Sequence, residues 1–406
     1  MPKKFRVIVV GGSLGGLLAA NMLWRAGFDV TVHERIGKAL GGRGAGITAH
    51  PEMFDAFLRA GVDVNDAIGT TVKERVLLDL KGRIIARHLL PQVVCSWSSL
   101  YALLLAAFPK ERYFSAMPVT RVDQENDIVR AVFENGTELN ADLLVGADGV
   151  NSTVRKQMFP SLQARYAGYI AWRGMVEERS VTPEAHDVLF SGFAFCLPPG
   201  EHMVGYPIAG ATGDTSQGNR RYNLVWYRSI EEKTELKDLM TDKRGVYHPM
   251  GIPPKLIRSD VVRNLHAAAE AHLAPQFCEV VKLVAVPFFQ TVMDLEVPNM
   301  ALNRIVLLGD APFLVRPHLG MGITKAAGDA VLLTDLLLAF QENPEHALKI
   351  YSAERCRYGQ YLAEHARRLG SQMRQVYNTE EERTETDYYR RPDVCLKKIA
   401  VPPDPP

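Results

Sequence analysis

The residues in this chain whose types and spacing suggest chemistry are a run of glycines and a few acids. Gly11-Gly12-Ser13-Leu14-Gly15-Gly16 follows the apolar run Val7–Val10. A dinucleotide fingerprint needs glycine at its first, third and sixth places. Gly11 and Gly16 fill the first and sixth, while Ser13 takes the third. Serine is small enough to let the backbone approach a pyrophosphate, and its hydroxyl is a donor. Leu14 opens a helix whose unpaired N–H groups and positive dipole end favour phosphate. A ligand-free strand–helix turn would use the same glycines, so the motif needs support. Glu34 supplies it. It lies eighteen positions after Gly16, at the end of the next apolar strand, where a carboxylate accepts both hydroxyls of an adenosine ribose. The competing reading of Glu34-Arg35 is a surface ion pair.

Two later segments repeat the pattern of strand, acid and helix. Leu143–Gly146 is apolar and runs into Ala147-Asp148-Gly149, then Asn151-Ser152 and Val154-Arg155. Val306-Leu307-Leu308 runs into Gly309-Asp310-Ala311, followed by Pro317 and Gly320-Met321-Gly322. Asp310, ending a buried strand, is placed to accept from a ribityl hydroxyl. The helix opened by Gly320 and Gly322 turns its positive end toward a group that becomes anionic. The N1–C2=O edge of a reduced flavin is such a group.

Val7–Val10, the Leu14–Ala26 helix and Asp29–His33 form the βαβ unit that positions the first motif. From Tyr166 to about Trp226, short alternating and aromatic segments punctuated by Gly and Pro predict an antiparallel sheet. The Val76–Leu80 and Arg83–Arg87 pair predicts a hairpin that joins it. Helices are expected over Glu231–Thr241, Ser259–Leu273, Ile323–Phe340 and His346–Met373. The charged segment from Glu380, ending Pro402-Pro403-Asp404-Pro405-Pro406, is expected to be a solvated extension, with dimer contact as the alternative.

The chain has 406 residues, 47 Lys plus Arg against 46 Asp plus Glu, and a formal net charge of +1. That balance argues against a phosphate-backbone binder, so no nucleic-acid partner is expected. Five cysteines, none in a CxxC pair, fit reduced thiols in the cytoplasm and give no metal-ligand spacing. No apolar run reaches the ~18 residues of a membrane span. Gly210 and Gly213 lie in a polar loop, so a second nucleotide domain is not expected.

The three motifs, in this order and at these separations, resemble those of the single-component FAD-dependent aromatic hydroxylases of the p-hydroxybenzoate hydroxylase type, from about Val7 to about Tyr361. Tyr166-Ala167-Gly168-Tyr169, Trp172-Arg173-Gly174, Leu239-Met240-Thr241-Asp242 and Arg316-Pro317-His318 narrow the resemblance to members acting on hydroxypyridines. It implies an α/β fold, with a Rossmann-like FAD-binding domain, an inserted antiparallel β-sheet substrate domain and C-terminal helices. The expected division is 1–75, 92–165 and 287–345 for FAD, 76–91 and 166–286 for substrate, and 346–406 for a helix and extended tail. The resemblance also implies FAD, transient NADH or NADPH, O2, a small hydroxylated aromatic substrate and transfer through a flavin C4a-hydroperoxide, with a homodimer as a family-level expectation. It carries cofactor contacts onto Gly11, Gly12, Ser13, Leu14, Gly16, Glu34, Arg35, Arg43, Gly46, Asp148, Asp310, Pro317, Gly320 and Gly322. The chain departs from the family at Phe313, Met321 and Trp97, where His, Gln and Arg are common.

His318 and Arg316 are the candidates beside flavin and substrate. His318 has an intrinsic pKa suited to deprotonating or orienting a ring hydroxyl; a bond to a loop carbonyl is the plain alternative. A structural ion pair is the alternative for Arg316. Tyr206, Trp226 and Phe288 are candidates to line an aromatic pocket, or are core. Lys325 is expected either to contact flavin or to face solvent. An epoxidase, reductase or halogenase would share the FAD motifs, but no W-x-W-x-I-P stretch of the tryptophan halogenases is present. A non-catalytic flavin binder would have less reason to keep the glycines before Ile323.

Overall fold

The computed structural model describes residues 5–37, 40, 46–64 and 68–404. β1 (Arg6–Val10) turns through the glycines into α1 (Leu14–Arg25) and returns as β2 (Asp29–His33). β3 (Gly46–Ala49) and α2 (Pro51–Arg59) precede a long hairpin, β4 (Gly69–Leu78) and β5 (Ile84–Ser96). Then come α3 (Trp97–Ala107), β6 (Tyr113–Phe114), β7 (Val119–Glu125), β8 (Ile128–Phe133), β9 (Glu138–Ala141), β10 (Leu143–Gly146) and α4 (Thr153–Met158). The middle of the chain holds β11 (Arg165–Glu177), α5 (Pro183–Leu189), β12 (Phe193–Cys196), β13 (Glu201–Ile208), β14 (Arg221–Ser229), α6 (Lys237–Leu239), α7 (Ser259–His272), α8 (Pro275–Leu283) and β15 (Phe288–Glu296). β16 (Ala301–Leu302), β17 (Ile305–Leu307), β18 (Phe313–Leu314), α9 (Gly322–Ala339), α10 (Pro344–Gly370), α11 (Glu380–Tyr389) and α12 (Pro392–Lys398) complete it.

The apolar runs of β1 and β10 are buried on both faces, as central parallel strands must be. They lie in a six-stranded sheet of order β16-β17-β10-β1-β2-β6, parallel except for β16. Val10 is level with both Gly146 and His33, and Gly146 with Leu307. This register brings the three motif turns to the carboxyl ends of neighbouring strands. The chain reverses its strand order between β1 and β10, where such sheets bind nucleotides.

A nine-stranded sheet runs β18-β15-β11-β14-β13-β12-β4-β5-β3. It is antiparallel apart from the β4–β12 pair. Its alternation sorts side chains onto two faces. Ile170, Trp172, Leu224 and Trp226 pack with Phe277 and Val281 of α8. Tyr169, Tyr206, Val225 and Tyr227 pack on the other side, with Leu319, Met321 and the C-terminal helices. β4 and β5 run unbroken across positions 75/76 and 91/92, so the expected division there would cut a continuous hairpin. β3 and β18 also belong to this sheet rather than to the first. The expected helix over Glu231–Thr241 is a π turn (Glu232–Leu236) followed by α6.

The C-terminal segment is not a solvated extension. Tyr389, Val394, Cys395, Leu396, Ile399 and Ala400 are buried against the sheet. Arg75, with no exposed surface, holds them. Its Nη1 donates to the carbonyls of Ile399 at 2.6 Å and Leu396 at 3.0 Å, and its Nη2 to that of Ala400 at 3.3 Å. The guanidinium also lies 5.1 Å from the Phe193 ring centroid. A cation at the end of α12 offsets its unpaired carbonyls. Composition misleads here because only one stripe of each short helix is apolar. Among the described residues no helix is long and apolar enough to cross a membrane.

Arg75→Met is expected to free the α11–α12 segment, since each buried carbonyl left unsatisfied costs about 1–3 kcal/mol. Limited proteolysis should then cut beyond Met373 first. Equal resistance of variant and parent would show that apolar packing alone holds the segment.

Candidate active site

Gly11 has φ +101°, and a Cβ there would lie 2.4 Å from the Ala147 carbonyl oxygen. A Cβ on Gly16 would lie 1.9 Å from the Gly11 oxygen. The turn is therefore as tight as glycine allows, and it starts α1 at Ser13, whose side chain makes no capping bond. Beside this N-cap lies a cleft of about 460 Å³ lined by Gly11, Ser13, Glu34, Arg35, Asp148 and Gly149. Gly12 and Leu14 are buried behind it. Glu34 braces the turn: its Oε2 accepts the Gly12 N–H at 2.8 Å and its Oε1 the Ile36 N–H at 2.9 Å. A carboxylate keeps further lone pairs for a ribose. Trp97, stacked on Tyr101 at 5.1 Å, also lines the cleft. A larger cleft of about 610 Å³ beside Tyr169 and Arg316 has Glu231 and Glu235 in its wall. Arg316 and Arg374 share that wall, and none of the three motif turns contributes to it.

The Asp148 carboxylate turns inward, toward α4. It accepts N–H bonds from Thr153 at 2.7 Å and Val154 at 3.2 Å, and the Ser152 hydroxyl at 2.5 Å. Its backbone and Gly149 line the cleft, while its charge caps a helix. Arg155 joins the second turn to the third, donating to the carbonyls of Val150 at 2.7 Å and Ala311 at 2.8 Å.

Behind the third turn lies a charge network that sequence reasoning missed. Asp329 of α9 accepts the Gly309 N–H at 3.0 Å and the Arg355 Nε–H at 2.5 Å. Lys325 donates to the Gly309 carbonyl and lies 3.4 Å from Asp329. Lys325 is thus buried and internal, neither solvated nor free for a ligand. Burial works to raise the Asp329 pKa, but the Lys325 and Arg355 charges prevail and hold it below the usual range. Asp310 itself is exposed at the turn. Crowding by protein pushes its carboxyl pKa up, with Lys325 opposing and Asp329 reinforcing. The i, i+4 spacing of Lys325 and Asp329 was the available signal.

From Pro317 the chain makes a 3-10 turn, passes Gly320 at φ +67° and enters α9 at Gly322, which is exposed. His50 sits beside this helix start, its Nδ1 2.9 Å from the Thr324 hydroxyl. His318 is buried, 2.9 Å from the Tyr169 hydroxyl through Nε2 and 4.3 Å from the Tyr227 ring centroid. Burial, then the charges of His202 and Arg316, hold its pKa well below the ordinary value. His318 is therefore held as the neutral imidazole, and its partner is a phenol rather than a loop carbonyl. Arg316 makes a bidentate pair with Asp294 at 2.8 and 2.6 Å. The Ala400 N–H donates to the His318 carbonyl at 2.8 Å, so the C-terminal segment touches this loop.

Of the expected ring-lining residues, Tyr206 stacks on Phe193 at 4.5 Å on the face shared with Tyr227. Phe288 lies level with Arg173 on that same face, half-buried. Trp226 is on the opposite face, fully buried, its Nε1 donating to Glu201 at 2.9 Å; the pleat turns it away from Tyr206 and Tyr227. Gly46 donates its N–H to Asn223 Oδ1 at 2.7 Å. Arg43 lies outside the described residues. Of the departures from the family pattern, Phe313 and Met321 are buried core.

A family model described as FAD binding domain-like matches residues 166–294. The chain is 33% identical over 336 residues to 2,6-dihydroxypyridine 3-monooxygenase of Paenarthrobacter nicotinovorans, covering 82% of this chain and 83% of that protein. It is 28% identical to 3-amino-4-hydroxybenzoate 2-monooxygenase of Streptomyces cremeus, covering 91% and 88%. The solved 2,6-dihydroxypyridine-3-hydroxylase from Arthrobacter nicotinovorans superposes with a TM-score of 0.86 at 29% identity, over 94% of this chain and 96% of that one. Klebsiella pneumoniae HpxO, solved with FAD and uric acid, shares the fold at a TM-score of 0.76 and 21% identity, covering 98% and 97%.

Asp310→Ala is expected to yield colourless protein, because the acid and its turn both change. Full flavin occupancy, read as absorbance per chain, would sink that assignment. Acid stability tests the buried histidines. Burial lowers the folded pKa of His202 to about 3 and of His33 to about 4. The unfolded chain then binds more protons below the ordinary value near 6.5. Stability is full above pH 6.5 and falls by ~1.4 kcal/mol per pH unit for each such residue as pH drops toward its folded pKa. His202→Phe should flatten this slope in thermal melts between pH 7 and 5; parallel slopes would mean that His202 titrates normally when folded.

Proposed function

Because this chain belongs to the single-component FAD-dependent aromatic hydroxylases, we propose that it uses NAD(P)H and O2 to hydroxylate a hydroxypyridine or a related N-heteroaromatic ring. The observation that carries this reading is the convergence of three turns at the carboxyl ends of β1, β10 and β17, with the third leading into a loop packed on an aromatic sheet face. The chain's similarity to a 2,6-dihydroxypyridine 3-monooxygenase favours pyridines over benzoates. The backbone cradle at Gly11 and the donor-rich start of α1 fit the FAD pyrophosphate. Glu34 is placed for the adenosine ribose and Asp310 for the ribityl chain. The α9 N-terminus, where Lys325 N is the first amide bonded back into the helix, to Met321 O at 2.8 Å, fits the pyrimidine edge of the ring system. FAD held there would pass two electrons from NAD(P)H to O2, so that one oxygen atom enters the ring and the other leaves as water.

The protein's own work is positioning, water exclusion and electrostatics. Tyr206, Tyr227 and Phe288 offer flat apolar walls. Neutral His318, held by Tyr169, orients the 317–322 loop, and the Arg316–Asp294 pair anchors its start. The five unpaired thiols, four of them buried, support a reducing compartment, and we place the enzyme in the cytoplasm.

The direct test follows NADH and NADPH oxidation by the yellow protein with 2,6-dihydroxypyridine, 6-hydroxynicotinate and 3-amino-4-hydroxybenzoate. A pyridine should stimulate oxidation at least tenfold and appear hydroxylated. Stimulation by the benzoate alone would overturn the substrate class. His318→Gln should retain FAD and yield less product per NADH, with the pH profile of kcat unchanged in shape from 6 to 8. Loss of an inflection near 6.5 in that variant would restore proton transfer to His318.

A further inference from the structure

Among the described residues, Arg173 contrasts with the arginines that are bonded in the interior. Arg75 meets three carbonyls, Arg155 two, Arg316 is paired with Asp294 and Arg355 with Asp329. Arg173 is half-buried in β11, and its Nε, sealed from solvent, has no hydrogen-bond partner among the described residues. The alternation of β11 puts it on the face of Tyr169 rather than that of Trp172. Its cross-strand neighbours are Val225 of β14 and Phe288 of β15. Two positions from Val225, on the same face, is Asn223, fully buried. Asn223 accepts the Gly46 N–H through Oδ1, while its Nδ2 has no acceptor among the described residues. Asn223 is level with Tyr206 on β13. The Arg173 charge is felt at both Tyr206 and Tyr227, where it opposes the upward push of burial.

Two donors without acceptors, one of them charged, therefore face one side of the sheet among aromatic rings. Diagonal neighbours on paired strands are close enough to share a ligand of one ring's width. An unmatched donor in such surroundings is costly, and an unmatched cation more so. A flat ligand with an anionic oxygen and a second acceptor beside it would satisfy both. We propose that Arg173 and Asn223 form the subsite that selects ring substrates bearing an oxyanion, with the guanidinium on the charged oxygen and Asn223 Nδ2 on a neighbouring ring acceptor. This rests on the ring-hydroxylation reading and names the charge state of its substrate. The guanidinium suits a planar oxyanion better than an ammonium would.

The test measures ligand binding to the FAD-loaded enzyme without turnover, from perturbation of the flavin absorbance. One probe pair is 2,6-dihydroxypyridine and 2,6-dimethoxypyridine; the other is 6-hydroxynicotinate and 2-hydroxypyridine. Each pair differs in an acidic oxygen, and combining ligand change with protein change isolates the coupling. In Arg173→Met, the parent's preference for the acidic member of at least one pair should fall tenfold or more, with Arg173→Lys intermediate. Asn223→Asp keeps an acceptor for the Gly46 N–H but replaces the donor by an anion, and should weaken the acidic member by a similar factor. Coupling on the first pair assigns the subsite to a ring oxide, and coupling on the second to a ring carboxylate. Equal losses for both members of each pair, or no loss, would overturn the proposal. If no ring stimulates NAD(P)H oxidation by the parent, the hydroxylase reading fails, while the binding cycle still judges Arg173 independently.

Discussion

The parallel register of β1, β10 and β17 is the constraint on which the rest of the site depends. With Val10 level with Gly146, and Gly146 level with Leu307, three turns from distant parts of the chain end at one rim. Each turn is then locked by a different device: Glu34 on the Gly12 amide, Asp148 on the α4 amides, and Asp329 on the Gly309 amide. In each case a carboxylate meets backbone N–H groups, a strong charge-assisted bond. Glu34, Asp148 and Asp329 thus brace the backbone, while Asp310 is exposed at the third turn.

The second sheet contributes by its pleat. Adjacent residues of β14, Trp226 and Tyr227, point to opposite faces; one is core beneath α8 and the other packs at a tilt against His318. The tyrosine face is closed further along by α11 and α12, through Arg75. The same C-terminal segment reaches the His318 carbonyl, so sheet, loop and C-terminus form one continuous packing unit. His318 is consequently a buried, neutral member of an aromatic cluster.

Much of this was legible from local pattern. The βαβ unit, the three turns, the hairpin and the long helices follow from apolar periodicity and glycine placement, which are properties of neighbouring residues. Family resemblance then added FAD and the ring substrate. The Asp329 network was harder to find, because its partners Gly309 and Arg355 are distant in sequence from the α9 acid. Composition misread the charged C-terminal segment, since a short helix needs only a narrow apolar stripe to dock.

By itself, then, the sequence determined which residues can turn tightly, which can hold a phosphate or ribose, and which segments must be strands or helices. Tertiary structure decided which face each side chain meets, and hence which ionisable groups are charged, paired or left without a partner. The pleat turned Trp226 to the opposite face for that reason, and Arg173 and Asn223 came together on one face for the same reason. Burial and cross-strand neighbours depend on contacts between residues far apart in the chain, and local spacing carries no record of them.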